Sequence, residues 1–203
     1  MITTIFFDLG GVLLTNGWGR DSRRAAAEKF HLDSDEFSDR HEKLAQALET
    51  NRLTLEDYLD RAVFYRAQAF KREEFRDFIF AQSTAKPDSH AVVDELAKAN
   101  RYLMATINNE MLELNLYRIE HFGLRKYFSA FFSSCFLGLW KPEEAIYRLA
   151  LNVTQRAANE CIFIDDREVN LECPRRLGMR VIHFENAAQL RAELSQNGVE
   201  FGG

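Results

Sequence analysis

The sequence predicts a doubly wound parallel α/β sheet with a small helical domain inserted after its first strand. Short apolar runs recur along the chain and several end on a polar or acidic residue, as buried parallel strands do at the edge where ligands bind. Helix-forming stretches separate these runs after residue 87, which is the alternation of a parallel sheet. Between the first run and that alternation lies a segment, from about Trp18 to Lys86, without proline and with Gly19 as its single glycine.

The first element is Ile5-Phe6-Phe7, which delivers Asp8 to the sheet mouth. Gly10 and Gly11 follow and let the chain turn tightly around whatever the carboxylate holds. The next segment is dense in Ala, Leu, Glu, Arg and Phe and reads as helices. Asp33-Ser34-Asp35-Glu36 and Thr54-Leu55-Glu56-Asp57 place hydroxyl or acid groups where N-caps belong. Phe64, Tyr65, Phe70, Phe75, Phe78 and Phe80 recur near helical spacing and predict the core of a small bundle. Beyond Pro87, strands are expected near 102–106, 131–134, 161–165 and 180–184, with helices between. The domains expected are thus an α/β core of 1–15 and 87–203, and a helical cap of 16–86.

Composition narrows the function. The chain has 203 residues, 46% of them hydrophobic, enough for a sizeable core. A net charge of −5 with both signs interspersed argues against nucleic acid as a partner. Cys135, Cys161 and Cys173 have no metal-ligand spacing and, being odd in number, describe no disulfide framework. Reduced thiols and the lack of an apolar run of about 20 residues point to a cytoplasmic protein away from membranes.

Four polar sites follow in order: Asp8; Thr106, with Asn108 and Asn109 close behind; Lys141, between Trp140 and Pro142; and the pair Asp165-Asp166. Three of them close strands and would share one sheet edge. An acid pair at a helix start can simply favour the helix dipole, and a lone lysine is ordinarily a surface group.

This ordered set resembles the haloacid dehalogenase superfamily, over nearly the whole chain. The wording Phe7-Asp8-Leu9-Gly10-Gly11-Val12-Leu13, Lys141-Pro142 with Ile146-Tyr147, and Phe163-Ile164-Asp165-Asp166 with Asn170 is similar to one subgroup. That subgroup includes sugar-phosphate phosphatases such as glucose-1-phosphate phosphatase, and the N-terminal phosphatase domain of soluble epoxide hydrolase. The resemblance implies a core with a mobile cap, and hydrolysis of a small phosphate ester through an aspartyl-phosphate on Asp8. It implies Mg²⁺ held by Asp8, Asp166 and the backbone carbonyl of Gly10, with Asp165 orienting metal-bound water or binding directly. A hard octahedral cation suits such oxygen donors. Lys141 would neutralise the nucleophile and the phosphoryl group, and Thr106 would donate to a phosphoryl oxygen, helped by backbone N–H groups after it. Substrate contacts are expected from Thr106, Ile107, Asn108, Lys141, Trp18 and Arg20.

Two residues depart from the pattern. Ile107 stands where the subgroup has Asn, so a side-chain contact to substrate is lost there. Gly10 stands where most phosphatases of the superfamily carry a second Asp that protonates the leaving oxygen, help typically worth about 10²–10⁴ in rate. The alternatives are a substrate whose leaving group departs easily, a dehalogenase, which needs no proton donor, or a catalytically weak binding protein. A cap histidine such as His41 could replace the missing acid, and Gly10→Asp should raise turnover if the site is otherwise intact. The sequence leaves the oligomeric state open.

Overall fold

The computed structural model describes residues 1–202. Its five strands are β1 (Thr4–Phe7), β2 (Leu103–Asn108), β3 (Ala130–Ser133), β4 (Cys161–Asp165) and β5 (Arg180–His183). They form one parallel sheet in the order β3-β2-β1-β4-β5. Strand order reverses at β1, so the crevice at its carboxyl end is the topological switch point. Phe7 lies opposite Thr106 on one side and Ile164 on the other, which brings Asp8 level with Asp165.

Alternate residues of the strands feed two cores. Ile5 and Phe7 join Met104, Ile162 and Ile164 on the face covered by α5 (Pro87–Ala99), α6 (Leu112–His121) and α10 (Ala187–Gln196). Phe6 joins Ala105, Ile107 and Phe163 on the face covered by α8 (Glu144–Thr154) and α9 (Glu168–Arg176).

Four helices stand between β1 and α5: α1 (Arg20–Lys29), α2 (Ser34–Glu49), α3 (Leu55–Ala62) and α4 (Arg72–Ala81). Asp33 and Thr54 cap α2 and α3 as their sequence positions suggest, accepting from the N–H groups of Glu36 and Asp57. Phe30, Phe37, Phe70 and Phe75 pack with Trp18 into a separate apolar cluster, with ring centroids 4.5–6.3 Å apart. Thr15 and Thr84 join the two linkers: the N–H of Thr15 donates to the carbonyl of Thr84 at 2.9 Å, and the N–H of Thr84 to Thr15 Oγ1 at 3.0 Å.

Three strands differ from expectation, β5 only in ending at His183. β2 continues past Thr106 to Asn108, because Ile107 is apolar and β-branched and packs into the sheet's second core. β3 ends at Ser133, and Ser134 opens the short helix α7 (Ser134–Leu137). Among the described residues no helix is long and apolar enough to cross a membrane.

Candidate active site

At the end of β1, Asp8 is 7% exposed; its Oδ1 accepts a hydrogen bond from the N–H of Leu9 at 2.8 Å and forms an ion pair with Lys141 Nζ at 3.0 Å. Lys141, 3% exposed, also meets Asp165 Oδ2 at 2.6 Å. The lysine arrives from the loop before α8, which is clamped to the end of β2. Lys141 N donates to Asn109 Oδ1 at 2.8 Å, and Asn109 Nδ2 donates to the carbonyl of Lys141 at 2.9 Å.

Asp165 is fully enclosed and both its oxygens are occupied. Oδ1 accepts from the N–H of Arg167 at 2.9 Å and from Asn170 Nδ2 at 3.0 Å, while Oδ2 takes Lys141. It therefore orients Lys141 and the start of α9. Asp166 differs. It lines a cavity of about 1060 Å³ above Asp8, and its Oδ1 is buried without a hydrogen-bond partner.

Carboxylate oxygens of Asp8, Asp165 and Asp166 lie within 4.8 Å of one another. Gly10 also lines the cavity, and its carbonyl accepts no hydrogen bond among the described residues. This hard oxygen set with one orphaned acceptor fits Mg²⁺, which Asp8, Asp166 and the Gly10 carbonyl could hold. Gly11 has φ +76°, and a Cβ there would fall inside the Asp166 carboxyl, so glycine is what lets the turn pass so close.

The crowding of acids shows in their proton affinity. Burial, aided by Asp165 and Asp166, pushes Asp8 up to about 7 against the pull of Lys141. Asp166 is likewise raised, by burial and then by Asp165. Burial alone would lower Lys141, but Asp165 and Asp8 outweigh it and hold the ammonium charged.

Trp18 and Arg20 line the cavity from the helical insert, as do Arg23, His41 and Glu49. Thr106, Ile107 and Asn108 do not line it. Thr106 is fully buried and its Oγ1 donates to Asn108 Oδ1 at 3.3 Å, while Asn108 Nδ2 donates to Asn115 Oδ1 at 2.9 Å. Because β2 runs on through Ile107, the residues that reach the cavity from it are Asn109, Glu110 and Met111.

His41 does not fit the role of substitute acid. Burial, reinforced by Arg23, pushes it down to about 3, so the ring is neutral near pH 7. Its Nδ1 lies 3.0 Å from Tyr58 Oη, which already receives Trp18 Nε1–H at 3.1 Å. The Tyr58 O–H has no other acceptor among the described residues, so donation to Nδ1 with the His41 ring proton on Nε2 is the arrangement that satisfies both groups.

Sequence reasoning missed the surroundings of position 10. Arg118 and Glu110 form a buried ion pair, Nη1 to Oε2 at 2.7 Å, at the cavity wall. A Cβ on Gly10 would stand 3.1 Å from Asn16 Oδ1 and 3.9 Å from Arg118 Nη1. No local signal marks Arg118, which lies on an ordinary amphipathic helix. The glycine at 17, whose φ is +54° and whose Cβ would collide with the Arg118 guanidinium, was the available hint.

A family model described as haloacid dehalogenase-like hydrolase matches residues 2–178. Flavin mononucleotide hydrolase 1 of Arabidopsis thaliana is 38% identical over 76 residues, 37% of this chain and 31% of that protein. Mouse bifunctional epoxide hydrolase 2 is 35% identical over 79 residues, 38% of this chain and 14% of that protein. The matched stretch is thus a minor part of either relative. Among solved structures, a haloacid dehalogenase family enzyme from Bacteroides thetaiotaomicron, in complex with magnesium and inorganic phosphate, superposes with a TM-score of 0.78 at 17% identity, covering 94% of this chain and 99% of that one. The likeness is one of fold.

Proposed function

The chain belongs to the haloacid dehalogenase-like hydrolases, and from that premise we propose that it is a Mg²⁺-dependent phosphatase acting on a small phosphate monoester, a sugar phosphate by preference, through an aspartyl-phosphate on Asp8. The observation that carries this reading is Asp8 itself: a carboxylate at the switch point, aligned by Leu9 N–H and Lys141, opening on a cavity shared with the orphaned oxygen of Asp166.

When bound, Mg²⁺ would neutralise charge on the nucleophile and on the transferring phosphoryl group. Lys141 holds Asp8 Oδ1 in place and adds a second positive charge against the phosphoryl oxygens. Asp165 and Asn109 keep that lysine in position. The helical insert, residues 16–86, acts as the cap that closes over the cavity and selects the substrate through Trp18 and Arg20. Thr106 reaches a phosphoryl oxygen only if its hydroxyl turns from Asn108, so phosphate contacts are expected first from Lys141 and from the backbone beyond β1. A cytoplasmic setting belongs to the same reading and agrees with three cysteines that are buried and unpaired.

A binding protein with little turnover is the second reading, favoured by one observation: position 10 offers no carboxyl, and Asn16 and Arg118 stand around its place. The test is phosphate release from a panel of sugar phosphates, flavin mononucleotide and an aryl phosphate, with and without Mg²⁺, comparing wild type with Asp8→Asn. Hydrolysis that needs both Mg²⁺ and Asp8 is the expected result. Release no greater than the Asp8→Asn background on every compound would sink the phosphatase reading in favour of the binding protein, and halide release from a 2-haloacid would make it a dehalogenase.

A further inference from the structure

Cleaving an ester of an ordinary alcohol requires a proton for the departing oxygen, and five carboxyl groups line the cavity in which that oxygen would sit: Asp8, Asp21, Glu49, Glu110 and Asp166. Asp8 is the nucleophile of the proposed reaction and Asp166 a metal ligand. Glu110 is committed on both oxygens, Oε2 to Arg118 and Oε1 to the N–H of Met111 at 3.1 Å. Asp21 is exposed to solvent on the first turn of α1.

Glu49 remains. It is the last residue of α2, it is half-buried, and neither of its carboxyl oxygens has a hydrogen bond or ion pair among the described residues. Its backbone is nonetheless fixed to the core: Ser134 Oγ donates to the carbonyl of Glu49 at 2.6 Å and accepts from the N–H of Glu110 at 3.1 Å. One hydroxyl thus pins the end of α2 to the loop after β2, beside the cavity.

We propose that Glu49 is the proton donor and acceptor of the reaction, supplied from the helical insert in place of the carboxyl that position 10 lacks; this rests on the phosphatase reading. Asp8 attacks phosphorus, the bond from phosphorus to the ester oxygen breaks with its electron pair on that oxygen, and Glu49 gives its proton there to release the alcohol. A water then attacks the phosphoryl-Asp8, passing its proton to the Glu49 carboxylate as Asp8 departs. Both groups return to their starting states.

The charges around Glu49 suit the task. Burial comes first and Glu110 second in pushing it up to about 7, against Arg23 on α1, Arg167 at the start of α9, and Lys141. Near neutral pH the carboxyl therefore populates both the acid and the base that the two half-reactions require.

The Mg²⁺-loaded wild type, Glu49→Gln and Glu49→Asp would be compared by kcat/KM on a sugar phosphate and on p-nitrophenyl phosphate, whose leaving group departs without a proton. Glu49→Gln should lose about 10²–10⁴-fold on the sugar phosphate and little on the aryl ester. Wild type should lose kcat/KM on the sugar phosphate as Glu49 deprotonates, a limb that the variant lacks. Glu49→Asp, which keeps the carboxyl on a shorter stem, should fall between them, and it decides the matter should the glutamine variant fail to fold. Equal losses on both esters, or no loss on either, would overturn the role of Glu49 while leaving Mg²⁺- and Asp8-dependent hydrolysis standing. Absence of that hydrolysis in wild type would remove both.

Discussion

At the residue scale, Lys141 and Gly10 set the character of the site. Lys141 sits between two buried carboxylates, and removal of its charge would leave Asp8 and Asp165 facing each other with no cation. Gly10 is the residue at which geometry reverses an expectation. From sequence, Gly10→Asp should restore an acid and raise turnover. In the structure, the new carboxylate would stand beside Arg118, whose charge keeps it ionised, and its Cβ would press on Asn16 Oδ1. Gly10→Asp is therefore expected to turn over no faster than wild type in steady-state phosphate release. A gain of tenfold or more would show that Arg118 does not hold the new group in its charged form.

At the element scale, the linkers between the insert and the sheet are held by one side chain from α6. Arg118 donates from Nη2 to the carbonyl of Thr15 at 2.8 Å and from Nε to Ser83 Oγ at 2.9 Å, while Nη1 pairs with Glu110. Thr15 belongs to the outgoing linker and Ser83 to the returning one, so the guanidinium staples both crossings. Arg118→Ala would free the linkers and strand Glu110 as a buried charge, a change that costs about 3–5 kcal/mol where a buried pair loses one partner. The double variant Glu110→Gln with Arg118→Met should recover much of this in urea unfolding, because it leaves no orphaned charge. Equal destabilisation by the single and double variants would place the effect in the linker hydrogen bonds instead.

At the scale of the whole molecule, the acids around the cavity couple stability to pH and to the cation. Asp8 is raised by burial from 3.8 to about 7 in the folded chain and Asp166 is raised too. The folded state thus binds protons that the unfolded state releases, and the metal-free protein loses stability as pH rises from about 4 through 7. His41 works the other way: burial lowers it from 6.5 to about 3, so its share is present above 6.5 and is lost as pH falls toward 3. In the proposed metal-bound form, Mg²⁺ would take the place of the protons on Asp8 and Asp166. The rise in Tm on adding excess Mg²⁺ should accordingly be larger at about pH 8 than at about pH 5, and Asp166→Asn should flatten the difference. A Mg²⁺ shift that is the same at both pH values would argue that these carboxylates are not the ligands.

The sheet, the helical insert and the order of Asp8, Lys141 and Asp165-Asp166 are legible along the chain, because each rests on local chemistry. An apolar run ending on an acid, glycines that allow a tight turn and a lysine ahead of a helix are read within a few residues. The same local reading placed Thr106 at a strand end, and Ile107 defeated it by carrying β2 onward into the second core. The lining of the cavity that position 10 shares emerges only when the chain folds. Asn16, Glu49, Glu110 and Arg118 come from the first linker, the end of α2, the loop after β2 and the middle of α6, and no spacing in the chain relates them. They meet because a parallel sheet collects its carboxyl edges at one switch point while the insert folds back over it, and burial there sets which acids keep a proton.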